Sequence, residues 1–208
     1  PDCAGAPDCA HDTADTGGDS GDDTGFDTDT LWKAVAAGGV NSCGIRSDDE
    51  TVCWGDNTYG QSTPTEGTYV GLAGTFYHTC GLTGEGFVAC WGCGEEDEGQ
   101  CDAPASLFES VSAGTHHTCA VGVDSLATCW GCETDLEQCD APAEEVLQVS
   151  AGSQHTCARL ADGTLTCWGS DAFGQSSPAA GSYTDVSAGG YHIETHISYD
   201  ENRDPEAA

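Results

Sequence analysis

Basic side chains are almost missing from this sequence: 4 Lys and Arg stand against 36 Asp and Glu, for a formal charge of −32. A surface so acidic repels phosphate backbones and anionic headgroups, which argues against nucleic acid and membrane surfaces as partners. No apolar run approaches the length of a membrane-spanning helix, so direct membrane insertion is not expected. Helical periodicity is also missing, as are the marks of common catalytic sites: there is no G-x-S-x-G elbow, no H-E-x-x-H and no Walker loop. The chain therefore reads as a non-enzyme that calls for no cofactor. Methionine does not occur even at the first position, and Pro1 is not followed by a signal-like apolar stretch. It reads as a mature or excised segment from which an export signal can have been removed.

What is present is one pattern written four times: VAAGGVNSCGIRSDDETVCWG, LAGTFYHTCGLTGEGFVACWG, VSAGTHHTCAVGVDSLATCWG and VSAGSQHTCARLADGTLTCWG, with a broken fifth start, VSAGGYHIETH. The Trp-Gly pairs begin at Trp54, Trp91, Trp130 and Trp168, in steps of 37, 39 and 38 residues, a period typical of supersecondary units stacked into propellers or solenoids. Within each unit an alternating run, a Gly/Asp turn and a second alternating run ending in Trp predict a β-hairpin. The chain is expected to be all-β, and its 29 glycines, about twice average usage, fit the frequent turns.

Fourteen cysteines at fixed spacings in a helix-poor chain point to structural disulfides and an oxidising setting, secreted or at the cell surface. Cys43 and Cys53, Cys80 and Cys90, Cys119 and Cys129, and Cys157 and Cys167 each stand ten apart, around turns centred on Asp48, Glu85, Asp124 and Asp162. In the fourth unit a three-residue Ala161-Asp162-Gly163 loop with Gly163 left-handed would set Cys157 opposite Cys167. Units two and three add Cys93 with Cys101 and Cys132 with Cys139; units one and four carry Tyr59-Gly60-Gln61 and Phe173-Gly174-Gln175 instead, so a disulfide is expected to replace an aromatic plug. Cys3 and Cys9 remain near the start. Cys90-Trp-Gly-Cys93 and Cys129-Trp-Gly-Cys132 also match C-x-x-C, the spacing of redox dithiols and of half a zinc site. Zinc would need Cys90 and Cys129 released from the ten-residue pairing, and a redox dithiol would leave Cys101 and Cys139 partnerless. Structural pairing is the favoured reading.

His78, His117, His155 and His192 share one slot, two residues before the first cysteine. A ring of imidazoles suggests a metal, but a residue repeated in every unit is better explained by the same packing or hydrogen-bonding problem solved each time. His192 and His196 have helical metal spacing, yet four strand residues span about 13 Å, too far to share one ion. No metal site is assigned.

The pattern V-S-A-G-x-x-H-T-C-A-x-x-x-D-G-x-x-x-C-W-G-x-x-x-x-G-Q, complete from Val149 to Gln175, resembles the regulator of chromosome condensation repeat family in its cysteine-bearing, bacterial extracellular form. The resemblance covers about residues 31–193. It implies a β-propeller, blades of antiparallel strands around a central channel, commonly seven in the family. Four full units and a degenerate fifth imply a small or incomplete ring. Members range from a nucleotide exchange factor for a small GTPase to an inhibitor of β-lactamases and surface proteins, so the fold does not select a function. The acidic charge and many cysteines speak against the chromatin-bound reading.

Residues 1–30 are a different material. DTADTGGDSGDDTGFDTDT, Asp12 to Thr30, has Phe26 and Ala14 as its only apolar side chains and reads as an extended, disordered acidic linker. The repeat domain is expected over 31–208, with units at about 31–66, 67–106, 107–144, 145–181 and 182–208. The fifth unit puts Glu194 and Asp204 where its cysteines belong. If the ring stays open, an exposed blade side favours self-association. The functional expectation is a disulfide-stabilised extracellular module that binds a macromolecule, a protein or glycan, through the unequal loops at Gly94 to Gln100 and Glu133 to Gln138. The alternatives are a secreted enzyme inhibitor and, third, a zinc or redox protein using the C-x-x-C pairs.

Overall fold

The computed structural model describes residues 31–132 and 137–190 and, as backbone alone, 193–196. The acidic tail with Cys3 and Cys9, His192, Asp204 and residues 133–136 lie outside the described residues.

Each full unit is a three-stranded antiparallel sheet in sequence order. Unit one comprises β1 (Trp32–Ala37), β2 (Asn41–Arg46) and β3 (Thr51–Gly55); unit two, β4 (Tyr69–Gly74), β5 (His78–Thr83) and β6 (Val88–Gly92). Unit three comprises β7 (Phe108–Ala113), β8 (Thr118–Gly122) and β9 (Ala127–Trp130); unit four, β10 (Val146–Ala151), β11 (His155–Leu160) and β12 (Leu165–Gly169). The fifth unit is a pair, β13 (Asp185–Ala188) and β14 (Ile193–His196). No α-helix forms among the described residues. Each inner strand packs on the inner and middle strands of the unit before it: β4 on β1 and β2, β7 on β4 and β5, β10 on β7 and β8, β13 on β10 and β11. The units follow one another around an axis as the blades of a propeller whose ring is not closed.

The repeat fixes detail as well as plan. Every full unit has the same bulge in its inner strand, after Trp32, Tyr69, Phe108 and Val146. A bulge re-aims the chain at one residue, and the residue before it in units two to four is buried: Tyr69, Phe108 and Val146 are all at 2% exposure or less. The hairpin turn puts one residue in the left-handed region, Asp49 (φ 71°), Gly86 (91°), Ser125 (63°) or Gly163 (84°). This is the turn that brings Cys157 opposite Cys167. Aspartates one residue earlier cap it: Asp48, Asp124 and Asp162 accept from the backbone N–H two residues on.

Four disulfides join Cys43 to Cys53, Cys80 to Cys90, Cys119 to Cys129 and Cys157 to Cys167 across directly opposed strand positions, with Cα atoms 4.0–4.1 Å apart. That closeness marks the non-hydrogen-bonded pairs of an antiparallel ladder, whose side chains approach most nearly. Two more, Cys93–Cys101 and Cys132–Cys139, close the loops that follow β6 and β9.

The core lies between units. Ile45 and Cys43 of unit one meet Tyr69 and Trp91 of unit two; Leu82 meets Phe108, with Val111 and Trp130 packed alongside; Val121 meets Val146, Val149 and Trp168. Three junctions thus hold three apolar clusters, each made by the front of one sheet and the back of the next.

Candidate binding face

At one end of the arc the inner strand turns into the middle strand and the loop after Trp-Gly returns beside it. Here the units differ. The dipeptide between the two strands is Gly39-Val40, Phe76-Tyr77, Thr115-His116 and Ser153-Gln154 in units one to four. Its carbonyl anchors the neighbouring loop: Asp56 N–H donates to Val40 O at 3.0 Å, Cys93 N–H to Tyr77 O at 2.8 Å, and Ser170 N–H to Gln154 O at 2.8 Å. A rigid backbone therefore presents side chains that the repeat does not share.

Those side chains form an aromatic ladder across three units. Tyr59 of unit one meets Tyr77 of unit two edge-on, with centroids 5.2 Å apart, and Tyr77 meets His116 of unit three at 4.9 Å. Phe76, 49% exposed, stands beside Tyr77 at 6.4 Å, and its ring lies over Gly39, where a Cβ would come within 2.5 Å of it. Behind the ladder all five units line the axial opening with equivalent residues, Ala37 to Gly39, Gly74 to Phe76, Ala113 to Thr115, Ala151 to Ser153 and Ala188 to Gly190, around a depression of about 160 Å³. Small residues leave it open, and Phe76 is its one large side chain.

The loop 94–100, expected as a contact surface, borders the ladder. It opens with a short 3₁₀ turn at Gly94–Glu96 and is braced by Cys93–Cys101 and by the buried Gln100, whose Oε1 accepts the Glu98 N–H. Glu95 and Asp97 are exposed. Glu98 turns inward, with a carboxyl oxygen 3.6 Å from His116 Nδ1, so it belongs to the ladder rather than to a free acidic rim. Of the second loop, Glu137 and the buried Gln138 are described.

The expectation that a disulfide replaces an aromatic plug is corrected by the loop necks. In unit one the Ser62 hydroxyl donates to Asp56 O at 2.8 Å, and in unit four the Ser176 hydroxyl donates to Ser170 O at 2.8 Å. Cys93 and Cys101, like Cys132 and Cys139, occupy those two neck positions, so the covalent bridge stands in for a hydrogen bond. The aromatic residue is separate from it: Tyr59 stacks in the ladder and Phe173 is 74% exposed.

The histidines point elsewhere. His78 and His117 are fully buried, and Nε2 of each lies 2.8 Å from a threonine hydroxyl of the next unit, Thr118 and Thr156. Asn41 takes the slot in unit one and does the same, its amide donating to Thr79 Oγ1 at 3.1 Å. Burial, helped by the neighbouring imidazoles, lowers His78 to about 3 and His117 to about 4, so both are neutral near pH 7. Burial also lowers His155. Among the described residues no three His, Cys, Asp or Glu side chains converge as metal ligands.

One residue of the repeat carries more than its place in the sequence suggests. The carbonyls of Gln61, Gln100 and Gln138 each accept the indole N–H of the next unit's tryptophan, Trp91, Trp130 and Trp168, at 2.8–3.0 Å, and a hydroxyl from Thr79, Thr118 and Thr156 at 3.0–3.3 Å. The recurring G-Q was the only signal available, because the acceptor is backbone.

The model of the regulator of chromosome condensation (RCC1) repeat matches at residues 32–61 and 146–175. No curated protein sequence matches the chain significantly. Among solved structures, it is similar to the CRINKLY WD40 ectodomain of the Arabidopsis thaliana receptor kinase ACR4, 25% identical over 80% of this chain and 61% of that one, with a TM-score of 0.63. It is similar also to the entire ectodomain of the Physcomitrella patens receptor kinase CR4, 26% identical over 77% of this chain and 47% of that one, TM-score 0.65. Prp20p of Saccharomyces cerevisiae shares the fold at 16% identity, over 80% and 56% of the two chains, TM-score 0.63. The chain thus spans about half to three-fifths of the length of these structures.

Proposed function

We propose that this arc of regulator of chromosome condensation repeats is an extracellular binding module for a protein partner, engaged through the ladder Tyr59, Tyr77 and His116 with Phe76. The observation that carries this reading is that residues the repeat does not share are gathered on one end of the arc, with Tyr59 and Phe76 held through Gln61 and the disulfide-braced 94–100 loop beside them. Aromatic side chains on a rigid backbone bring large contact area at small entropic cost, the usual composition of binding hot spots. The cysteine pairing and the likeness to receptor ectodomains support an extracellular setting. Glu95 and Asp97 beside the ladder, within a chain of charge −32, favour a partner presenting basic groups and speed its approach.

The test is paired capture from an extracellular fraction, with the unaltered chain and a Phe76→Ala, Tyr77→Ala double variant as baits at low and moderate salt. A partner held by the first and lost by the second is expected, with retention falling as salt rises. Partners captured equally by both baits would place the interface elsewhere.

A further inference from the structure

The two ends of the arc carry complementary halves of one inter-unit junction. At the leading end, the back of unit one repeats a surface that is buried or partly buried in the units that follow. Trp32 is 45% exposed, whereas its equivalents Tyr69, Phe108, Val146 and Tyr183 lie at 1–5%; Val35 is 69% exposed against 7% for Val149 and 2% for Val186; Trp54 is 49% exposed against 5% for Trp91 and 9% for Trp168. Trp32 and Trp54 pack edge to face with centroids 5.8 Å apart, a ready apolar surface. The indoles of Trp91, Trp130 and Trp168 each reach a glutamine carbonyl of the unit before. Trp54 has no unit before it among the described residues.

At the trailing end the missing parts are the matching ones. His155 is fully buried, yet among the described residues neither ring nitrogen has a hydrogen-bond partner, whereas His78 and His117 bond to Thr118 and Thr156. The strand register Ala188↔Ile193 puts isoleucine where that threonine belongs, and a proline, Pro205, stands in the sequence where the tryptophan belongs. Gln175, equivalent to Gln61, Gln100 and Gln138, receives no indole among the described residues. Arg159 stands where Ile45, Leu82 and Val121 build the other junctions, and no apolar cluster forms there among the described residues. The fifth unit holds its place through Tyr183 and Val186 and a few polar contacts, among them Gln148 with Val186 and Ala188 N–H with Ser150 Oγ.

We propose that two copies of this chain exchange ends, unit one of each taking the place that β13 and β14 hold against unit four of the other. The incoming unit brings what the fifth unit brings, an aromatic residue in Trp32 for Tyr183 and Val35 for Val186. It adds what the fifth unit lacks: the Trp54 indole for the Gln175 carbonyl, and the Ser42 hydroxyl, at the threonine position, for His155 and Gln175. The Trp32 ring also meets the Arg159 guanidinium, a favourable cation–π pairing. Units one and four are where two acidic chains meet with least repulsion, because they hold Lys33, Arg46 and Arg159, three of only 4 basic residues, the first two ion-paired with Asp49 and Glu50. Reciprocal exchange closes a ring of twice four units with two identical head-to-tail contacts.

The experiment is light scattering of the full chain over a concentration series, beside two full-length variants checked for an unchanged fold by circular dichroism. The unaltered chain is expected to reach a dimer. Trp54→Asp is expected to raise the dissociation constant at least about tenfold, as loss of a central tryptophan does. Val186→Asp, which loosens the fifth unit alone, is expected to lower it. Mass of a single chain for both the unaltered protein and Val186→Asp would overturn the proposal. A dimer indifferent to Trp54→Asp would overturn it too. A dimer lost with Trp54→Asp but unmoved or weakened by Val186→Asp would mean that two leading faces pair directly, and would reject the exchange.

Discussion

His117, the residue before β8 of unit three, places its Nε2 2.8 Å from the hydroxyl of Thr156 in β11 of unit four, and thereby links neighbouring blades in their interior. The same hydroxyl donates to the carbonyl of Gln138, which also takes the Trp168 indole. Histidine, threonine, glutamine and tryptophan thus form one relay at the junction of units two and three and one at that of units three and four, with Asn41 in the histidine's place at the first junction. Each member of the His117 relay is buried, so losing one leaves the others unsatisfied at roughly 1–3 kcal/mol. Thr156→Val, isosteric but without the hydroxyl, is expected to lower stability by that amount, read from the midpoint of urea unfolding with unchanged slope.

The relay makes stability pH-dependent. An unfolded imidazole titrates near 6.5, while in the fold His78 is held to about 3 and His117 to about 4. Between these values the unfolded chain takes up protons that the fold refuses. The contribution is therefore complete above about pH 6.5 and is lost as the pH falls, by at most ~1.4 kcal/mol per pH unit for each histidine. Asn41 already fills the slot in unit one without titrating. Replacing His78 and His117 together by asparagine is expected to flatten the unfolding free energy between pH 4 and 6.5. A slope unchanged from that of the unaltered chain would show that these imidazoles do not carry it.

The hairpin turns offer a gain of stability. Ser125 holds φ at 63°, a conformation that costs a residue with a Cβ about 1 kcal/mol and glycine nearly nothing; units two and four have Gly86 and Gly163 there. Ser125→Gly is expected to raise the thermal midpoint by a few degrees. Conversely, Gly114→Ala sets a Cβ 2.3 Å from the His117 ring and 2.5 Å from the Gly152 carbonyl, and is expected to destabilise strongly. That contact explains why the A-G-x-x-H run stays together in unit three: the glycine leaves room for its own histidine.

Much of this was legible because the chain states it four times. Cysteines ten apart around a turn centred on Asp or Glu gave the hairpin register, and the shared histidine slot gave a structural role, since a repeated residue answers a repeated need. The fate of Gln61 was not legible, because its carbonyl rather than its side chain accepts Trp91. Nor was the ladder: Tyr77 and His116 share one slot of the repeat, but Tyr59 comes from a different loop, and the three meet only through the blade rotation. Glu98 looked like one acid in a run, and its approach to His116 depends on the fold of a braced loop.

The disulfides supply the last prediction. Each hairpin bridge closes a loop of ten residues, worth roughly 2–3 kcal/mol if the bridge acts by restricting the unfolded chain. The neck bridges Cys93–Cys101 and Cys132–Cys139 close loops of similar size, but in units one and four a serine hydroxyl does the same task. Peptide mapping of the unreduced protein is expected to find all six bridges within their own units. Replacing Cys93 and Cys101 by serine should cost less than replacing Cys80 and Cys90, because serine at the neck can form the hydrogen bond seen in units one and four, whereas the Cys80 sulfur packs on Thr118 of the next unit. The comparison needs only two double variants and one unfolding curve each. Links between different units, or a larger loss from the neck than from the hairpin, would mean that the loop rather than the blade is the element the bridges hold.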